Sequence, residues 1–273
     1  MRIAHLGPAG TFSEEAALLH APDAELVPYP TISGAARSVL TGECDEAATP
    51  IENSLQGAVT ETLDLLIHEA GFAIKNEINL SVAHNLMAQP GVTLADIRKV
   101  YSHPQALGQC KGWLAEHLPN AAVAAALSTA GSVKQAADDA VPAAAIAPFR
   151  AAALYGADIL ARGIQDDDNN VTRFVILAKN DAPPSGDDKT SICFSFDDDK
   201  PGLLYKVMGL FSDAGINLTK VESRPTRMGL GRYYFLVDLE GHRTDATVVS
   251  VLDQLRAEAS ELKIFGSYPR FSA

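Results

Sequence analysis

Four clusters of polar residues, three after an apolar run and one leading into one, carry the groups able to do chemistry in this 273-residue chain. The first, Gly7-Pro8-Ala9-Gly10-Thr11-Phe12-Ser13-Glu14-Glu15, is a glycine-rich turn. Its backbone N–H groups can face an anion, or it is a plain strand-to-helix turn with Ser13 as N-cap. The second crowds Glu52, Asn53, Ser54 and Gln56 at the end of an apolar stretch, the edge at which α/β sheets take ligands. In the third, Gln105 and Gln109 are four apart and share a helical face, so both amides can address one ligand. His103 in the same cluster suits either proton transfer near neutrality or the fixing of a loop before a helix. The fourth runs from Asp166-Asp167-Asp168 into an apolar strand that begins at Thr172, with the cation of Arg173 beside that hydroxyl. The acids lack the calcium-loop spacing, with its central glycine and final glutamate, so no metal is expected.

Rigid elements must hold these clusters. Strand-like runs and alanine-rich helical stretches alternate over residues 3–6, 33–40, 59–67, 100–102, 106–116, 131–140 and 143–147, which predicts an α/β architecture with mostly parallel sheets. The alanine runs 121–126 and 143–147 favour helix by residue type and strand by shortness; both are read as strands. Residues 181–188, with Pro183-Pro184, Ser185 and Gly186 among acids, have no apolar period and read as an exposed linker between domains 1–180 and 189–273. Beyond it Ile192, Phe194 and Phe196 alternate as a strand, and Leu203, Val207, Leu210 and Phe211 share a helical face that stops at Ala214-Gly215. Strands at 221–224 and 233–239, joined by a turn with Gly229 and Gly231, a helix at 247–258 and a strand at 262–268 complete a ferredoxin-like β-α-β-β-α-β order.

Composition sets outer limits. The hydrophobic fraction of 47% and charged fraction of 21% suit a soluble chain with two cores. A net charge of −12 argues against nonspecific nucleic-acid binding, which needs clustered cations. Cys44, Cys110 and Cys193 are odd in number and far apart, so neither a disulfide framework nor a CxxC metal site is expected. No apolar run approaches the roughly 20 residues of a membrane span. The start Met1-Arg2-Ile3-Ala4-His5-Leu6-Gly7 reads as a strand entering a turn, so a cytoplasmic protein is expected.

GPAGTFSEEAA at 7–17, PIENSLQGAV at 50–59, SHPQALGQC at 102–110, STAGSV at 128–133 and NNVTRFVIL at 169–177 follow one another in the order and spacing of prephenate dehydratase signatures. The chain resembles that family. Pro201-Gly202-Leu203-Leu204-Tyr205 and residues 215–225 resemble the ACT regulatory domain of the same enzymes. Many relatives carry Gly-Ala-Leu where this chain has Gly202-Leu203-Leu204, which bears on the strength and ligand preference of feedback.

The resemblance implies a two-lobed catalytic domain of the periplasmic-binding-protein type with a cleft between its lobes, followed by a ferredoxin-like βαββαβ ACT domain. It implies conversion of prephenate to phenylpyruvate, water and CO₂ for phenylalanine synthesis, L-phenylalanine as effector, and a homodimer or homotetramer through ACT contacts. Aromatisation drives the elimination, so no cofactor is required. Within that frame Thr172 is expected to donate a hydrogen bond to the departing hydroxyl. Thr11, Asn53, Ser54, Gln105, Gln109, Ser128 and Thr129 are expected as neutral donors around the substrate, with Phe174 beside them. Ser128 and Thr129 serve equally as N-caps. Arg173 is expected as a carboxylate clamp, or as a partner of Asp166–Asp168. For the effector, Asn217, Leu218, Glu222, Ser223, Arg224 and Pro225 are expected to hold phenylalanine, with backbone groups from Gly202, Leu203 and Leu204. Alternatively 222–225 is a strand end with an exposed ion pair. Arogenate dehydratase, and a non-catalytic amino-acid sensor, are the competing functions.

Overall fold

The computed structural model describes residues 1–197, 200–226 and 231–271. The chain divides into two compact units, Met1–Thr60 with Ile78–Phe174, and Glu61–Glu77 with Val175–Ala273. A boundary near 180 is what composition predicts; the unit division instead places segment 61–77 with the C-terminal part.

In chain order the elements are β1 (Arg2–Leu6), α1 (Phe12–His20), β2 (Glu25–Tyr29), α2 (Ile32–Thr41), β3 (Glu46–Asn53), β4 (Gly57–Ala58), α3 (Thr60–His68) and β5 (Ala73–Ser81). There follow β6 (Asn85–Ala88), β7 (Lys99–Ser102), α4 (Pro104–Gln109), α5 (Lys111–His117), β8 (Ala122–Ala125), α6 (Thr129–Ala137), β9 (Ala143–Ala147), α7 (Phe149–Tyr155), β10 (Asp158–Ala161) and β11 (Val171–Ala178). The helical stretch expected over 106–116 is two helices, broken at Cys110.

The first unit has two lobes, each built on one sheet. The first sheet has the order β2-β1-β3-β11-β5, with β4 folded back on β3, and β1 runs parallel to both neighbours. The second has the order β10-β6-β9-β7-β8, in which β7 is parallel to β8 and β9 while β6 is antiparallel to β9 and β10. Its central strand β9 is the run Ala-Ala-Ala-Ile-Ala, buried at every position. Alanine suits that place for a packing reason. Small side chains on a strand covered on both faces let Ala130, Val133 and Ala136 of α6 and Ala151 and Ala152 of α7 approach closely.

The chain crosses between the lobes twice, at 82–84 and at 162–170. The crossings are tied to each other: Val82 N–H donates to the Asn170 carbonyl at 2.8 Å and Ile164 N–H to the His84 carbonyl at 2.9 Å.

The second unit carries β12 (Asp188–Ser195), α8 (Leu203–Asp213), β13 (Leu218–Pro225), β14 (Tyr233–Glu240), α9 (Ala246–Glu258) and β15 (Glu261–Pro269). This is the expected β-α-β-β-α-β order, with an antiparallel sheet arranged β13-β14-β12-β15. Asp188, the last residue of the expected linker, already opens β12, where its carboxylate accepts from Ser185 and from Gly186 N–H. Of the expected turn glycines, Gly229 lies outside the described residues. Val207 and Phe211 of α8 and Val248, Val251, Leu252 and Leu255 of α9 bury one face of the sheet with Ile192, Phe194, Val237 and Leu239.

The other face meets segment 61–77. Arg224 Nη2 bonds Asp64 Oδ1 at 2.7 Å, Lys189 bonds both oxygens of Glu77 at 2.8 and 3.0 Å, and Lys263 reaches the carbonyls of Ile67 and Glu69 past the end of α3. Gly266 lies at φ +149°, where a β-carbon would overlap the Ile74 carbonyl oxygen. Because the obstacle is backbone, it cannot rotate away. Gly266→Ala is therefore expected to destabilise this unit by at least about 3 kcal/mol, read as a lost soluble yield and unprotected amides in β12 and β15.

Candidate active site

A cleft of about 850 Å³ in the first unit is lined by the ends of the polar clusters. Three helices begin there. The cleft walls include Thr11, Phe12 and Ser13 at the head of α1, His103, Gln105 and Ala106 at the head of α4, and Ser128 and Thr129 at the head of α6. Each helix start presents N–H groups without intrahelical partners and the positive end of its dipole. The arrangement favours a bound anion, although no Lys, Arg, Asp or Glu lines the cleft among the described residues.

The capping side chains refine the expectations. The N-cap of α1 is Thr11, which accepts from Glu14 N–H at 3.4 Å, in place of Ser13. The Thr11 hydroxyl donates to the Leu6 carbonyl at 2.8 Å, so its proton is committed inside the turn and is not offered to a ligand. Gly10 N–H likewise donates to Glu14 Oε2 at 2.5 Å. Glu14 also meets Arg150 Nε at 3.3 Å, and Tyr155 O–H donates to the Ala9 carbonyl at 2.8 Å, which fixes the turn against α7. Ser128 is an N-cap, accepting from Gly131 N–H at 3.0 Å. His103 does the same for α4 with Nδ1, accepting from Gln105 N–H at 3.3 Å, in line with the loop-fixing reading.

At the cleft floor, strand alternation separates Thr172 from its neighbour. Side chains i and i+2 of a strand share a face, so Thr172 and Phe174 line the cleft while Arg173 does not. Arg173 Nη1 lies 3.8 Å from Glu52 Oε2, on the side of the strand away from Thr172. The acids of the Asp166–Asp168 run cap and turn the chain. Asp166 accepts from Gly112 and Trp113 N–H at the start of α5, Asp167 from Asn169 N–H, and Asp168 from the Gln165 amide. Ser54 is also off the cleft; its hydroxyl donates to the Asn169 carbonyl at 2.7 Å and accepts from Val171 N–H at 2.9 Å.

A chain of amides with a fixed direction supports Thr172. Asn53 Oδ1 accepts from the backbone N–H groups of Leu55 and Gln56, both at 3.1 Å. Backbone donors cannot reverse, so the other end of that amide is the NH₂. It donates to Thr172 Oγ1 at 2.9 Å and Asn170 Oδ1 at 2.8 Å. A lone pair of the Thr172 oxygen is thus occupied by a donor, and its own proton has no acceptor among the described residues. Asn170 Nδ2 in turn donates to Gln109 Oε1 at 3.1 Å. Gln105, Gln109, Ser128 and Thr129 stand on the second lobe, facing Asn53 and Thr172 across the same cleft. Gln56, Phe12 and the supporting Asn170 lie inside the polar clusters, where residue type and spacing assigned them no role of their own; His84 lies outside every cluster. His84 lies in the short apolar run Val82-Ala83-His84, which has no spacing signal.

A family model for prephenate dehydratase matches residues 3–182, and one for the ACT domain matches residues 198–257. The chain belongs to the prephenate dehydratase family. A prephenate dehydratase of Mycobacterium leprae is 41% identical over 281 residues, covering 98% of this chain and 86% of that protein. The structure of an Arthrobacter aurescens prephenate dehydratase in complex with L-Phe has a TM-score of 0.91 at 37% identity, covering 99% of this chain and 90% of that one. GqqA, described as a novel type of quorum quenching acylase, has a TM-score of 0.88 at 33% identity, covering 99% of this chain and 98% of that one. Acyl transfer to a side chain uses a nucleophile bonded to a base. Among the described cleft residues of this family member, no hydroxyl or thiol hydrogen-bonds to a histidine.

The effector residues expected in the ACT part lie in the second unit. Gly202 is the N-cap of α8 at φ +91°, with Leu203 and Leu204 in the first turn, and the Asn217 carbonyl accepts from Glu240 N–H beside Leu218. Glu222 pairs with Lys220 at 3.2 Å and Arg224 with Asp64, while Ser223 and Pro225 are exposed.

Proposed function

We propose that the elimination of CO₂ and hydroxide from prephenate is assisted at the cleft floor by Thr172, donating a hydrogen bond to the departing oxygen. What carries the reading is the direction of the Asn53 amide. It occupies an acceptor site of the Thr172 oxygen and leaves the hydroxyl proton for a ligand. The bond strengthens as negative charge grows on the leaving oxygen, so it favours the transition state over the bound substrate. A threonine hydroxyl is too weak an acid to surrender its proton unaided at neutral pH, so Thr172 acts as donor rather than as general acid. Gln105, Gln109, Ser128 and Thr129 with the starts of α1 and α6 supply neutral donors for the two carboxylates. Phe174 and Phe12 give the ring an apolar wall. In the same proposal residues 1–180 form the catalytic part, 181–188 the connector and 189–273 the ACT part, in a cytoplasmic homodimer or homotetramer. Phenylalanine binds along Asn217, Leu218 and Glu222–Pro225 with Gly202–Leu204, and shifts activity by favouring one of two arrangements.

Purified protein given prephenate is expected to form phenylpyruvate, followed by its ultraviolet absorbance in alkali. With arogenate, phenylalanine is followed by chromatography. Inertness toward both substrates would leave the amino-acid sensor standing in place of the enzyme, and turnover of arogenate alone would select the other dehydratase. Added phenylalanine is expected to change the rate and the oligomer size by gel filtration. If neither moves across a wide concentration range, the effector assignment fails.

A further inference from the structure

His84 is buried at the first crossing between the lobes, 2% exposed, with its ring edge-to-face against Phe12 at 5.9 Å. Its Nε2 stands 2.8 Å from Gln109 Oε1. The tautomer follows from the amide chain. Leu55 and Gln56 N–H orient Asn53, Asn53 orients Asn170, and Asn170 donates to Gln109, so Gln109 presents its oxygen and His84 must donate from Nε2. Two buried atoms are then without a partner among the described residues, Gln109 Nε2 and His84 Nδ1, and both residues line the cleft. An unpaired buried donor beside an anion cleft carries a cost unless a ligand relieves it.

We infer that His84 is a positioning residue of the reaction: its neutral Nε2–H holds the Gln109 carboxamide so that the NH₂ group is presented to a substrate carboxylate. The inference rests on the dehydratase reading and extends it to a residue outside the signature clusters. His84 supplies no proton to the chemistry, since desolvation by burial lowers its pKa and the ring stays neutral, against a smaller opposing effect of the Gln109 bond. An alternative that uses the same contacts is a histidine that merely fills the hinge. That role would cost stability without changing how folded enzyme handles substrate.

Three variants separate the two. His84→Phe keeps the ring and its contact with Phe12 but removes the donor; His84→Gln returns an N–H at the reach of Nε2; His84→Phe with Gln109→Ala tests whether the residues act as one. His84→Phe is expected to lower kcat/KM for prephenate by roughly ten- to a hundredfold, chiefly through KM, with folded fraction matched by urea titration. His84→Gln is expected to recover most of that loss, and the double variant to be little worse than Gln109→Ala alone. His84→Phe within twofold of wild type, no recovery in His84→Gln, or additive losses in the pair would each overturn the inference. If His84→Phe does not fold, long-range ¹⁵N–¹H spectra of the wild type decide. An Nε2–H tautomer whose signals move when prephenate binds supports the assignment; an Nδ1–H tautomer, or signals indifferent to prephenate, refutes it. Wild-type enzyme inert toward prephenate would instead bring down the dehydratase reading and this inference with it.

Discussion

Thr172→Val is expected to lower kcat for prephenate by about 10²–10³ while leaving KM and the urea midpoint close to wild type. Valine keeps the branched shape that suits a strand and removes only the hydroxyl. The Asn53 NH₂ group retains Asn170 Oδ1 at 2.8 Å and the Val171 carbonyl at 3.3 Å, so the variant leaves no buried donor orphaned. Thr172→Ser restores the oxygen and should restore most of the rate. Steady-state kinetics on the three proteins check the claim. A valine variant that turns over within fivefold of wild type would remove Thr172 from the chemistry, and one that loses rate only through unfolding would reassign it to structure.

A second large effect, on stability, is expected in the second unit. Lys189 donates to both oxygens of Glu77, with side chains 13% and 2% exposed, and Phe271 N–H adds a third donor at 3.2 Å. Lys189→Met leaves a buried carboxylate short of its cation, and breaking such a pair costs about 3–5 kcal/mol. The lower end is expected here because Glu77 keeps other partners. Pairing Lys189→Met with Glu77→Gln removes both charges and should recover much of the loss. Hydrogen exchange of the β12 and β15 amides under native conditions reports this locally. Unchanged protection in Lys189→Met would mean that the pair is solvated and contributes little.

Elements were legible where local composition decides them. Alternating Ile192, Phe194 and Phe196 gave β12, and the Ala214-Gly215 stop matches the C-cap of α8, with Gly215 at φ +68°. The run Ala143–Ala147 was harder, because alanine's helical preference yields to burial on both faces of a central strand. Three clusters were found by their place at strand ends, and Asn53, Gln105, Gln109 and Thr172 do meet at one cleft. Arg173, one residue from Thr172, faces the opposite side of the strand, toward Glu52 at 3.8 Å, an alternation the sequence already contains. His84 was not legible, and Asn170, though inside the fourth cluster, showed no sign of its role. Their importance comes from bonds spanning 25 and 61 residues to Gln109, and nothing in their immediate surroundings announces such a meeting.

The pair of mutually bonded crossings has a mechanical consequence. Rotation of one lobe against the other must pivot near Val82, His84, Ile164 and Asn170, and Thr172 sits two residues from that axis. The start of α1 stands beside that axis too, since Phe12 packs edge-to-face on His84. Points near a pivot travel little, so the hydroxyl that eases out the leaving oxygen keeps its place however far the lobes swing. Substitutions at the axis should therefore show up in what happens once substrate is held more than in how fast it is seized and let go.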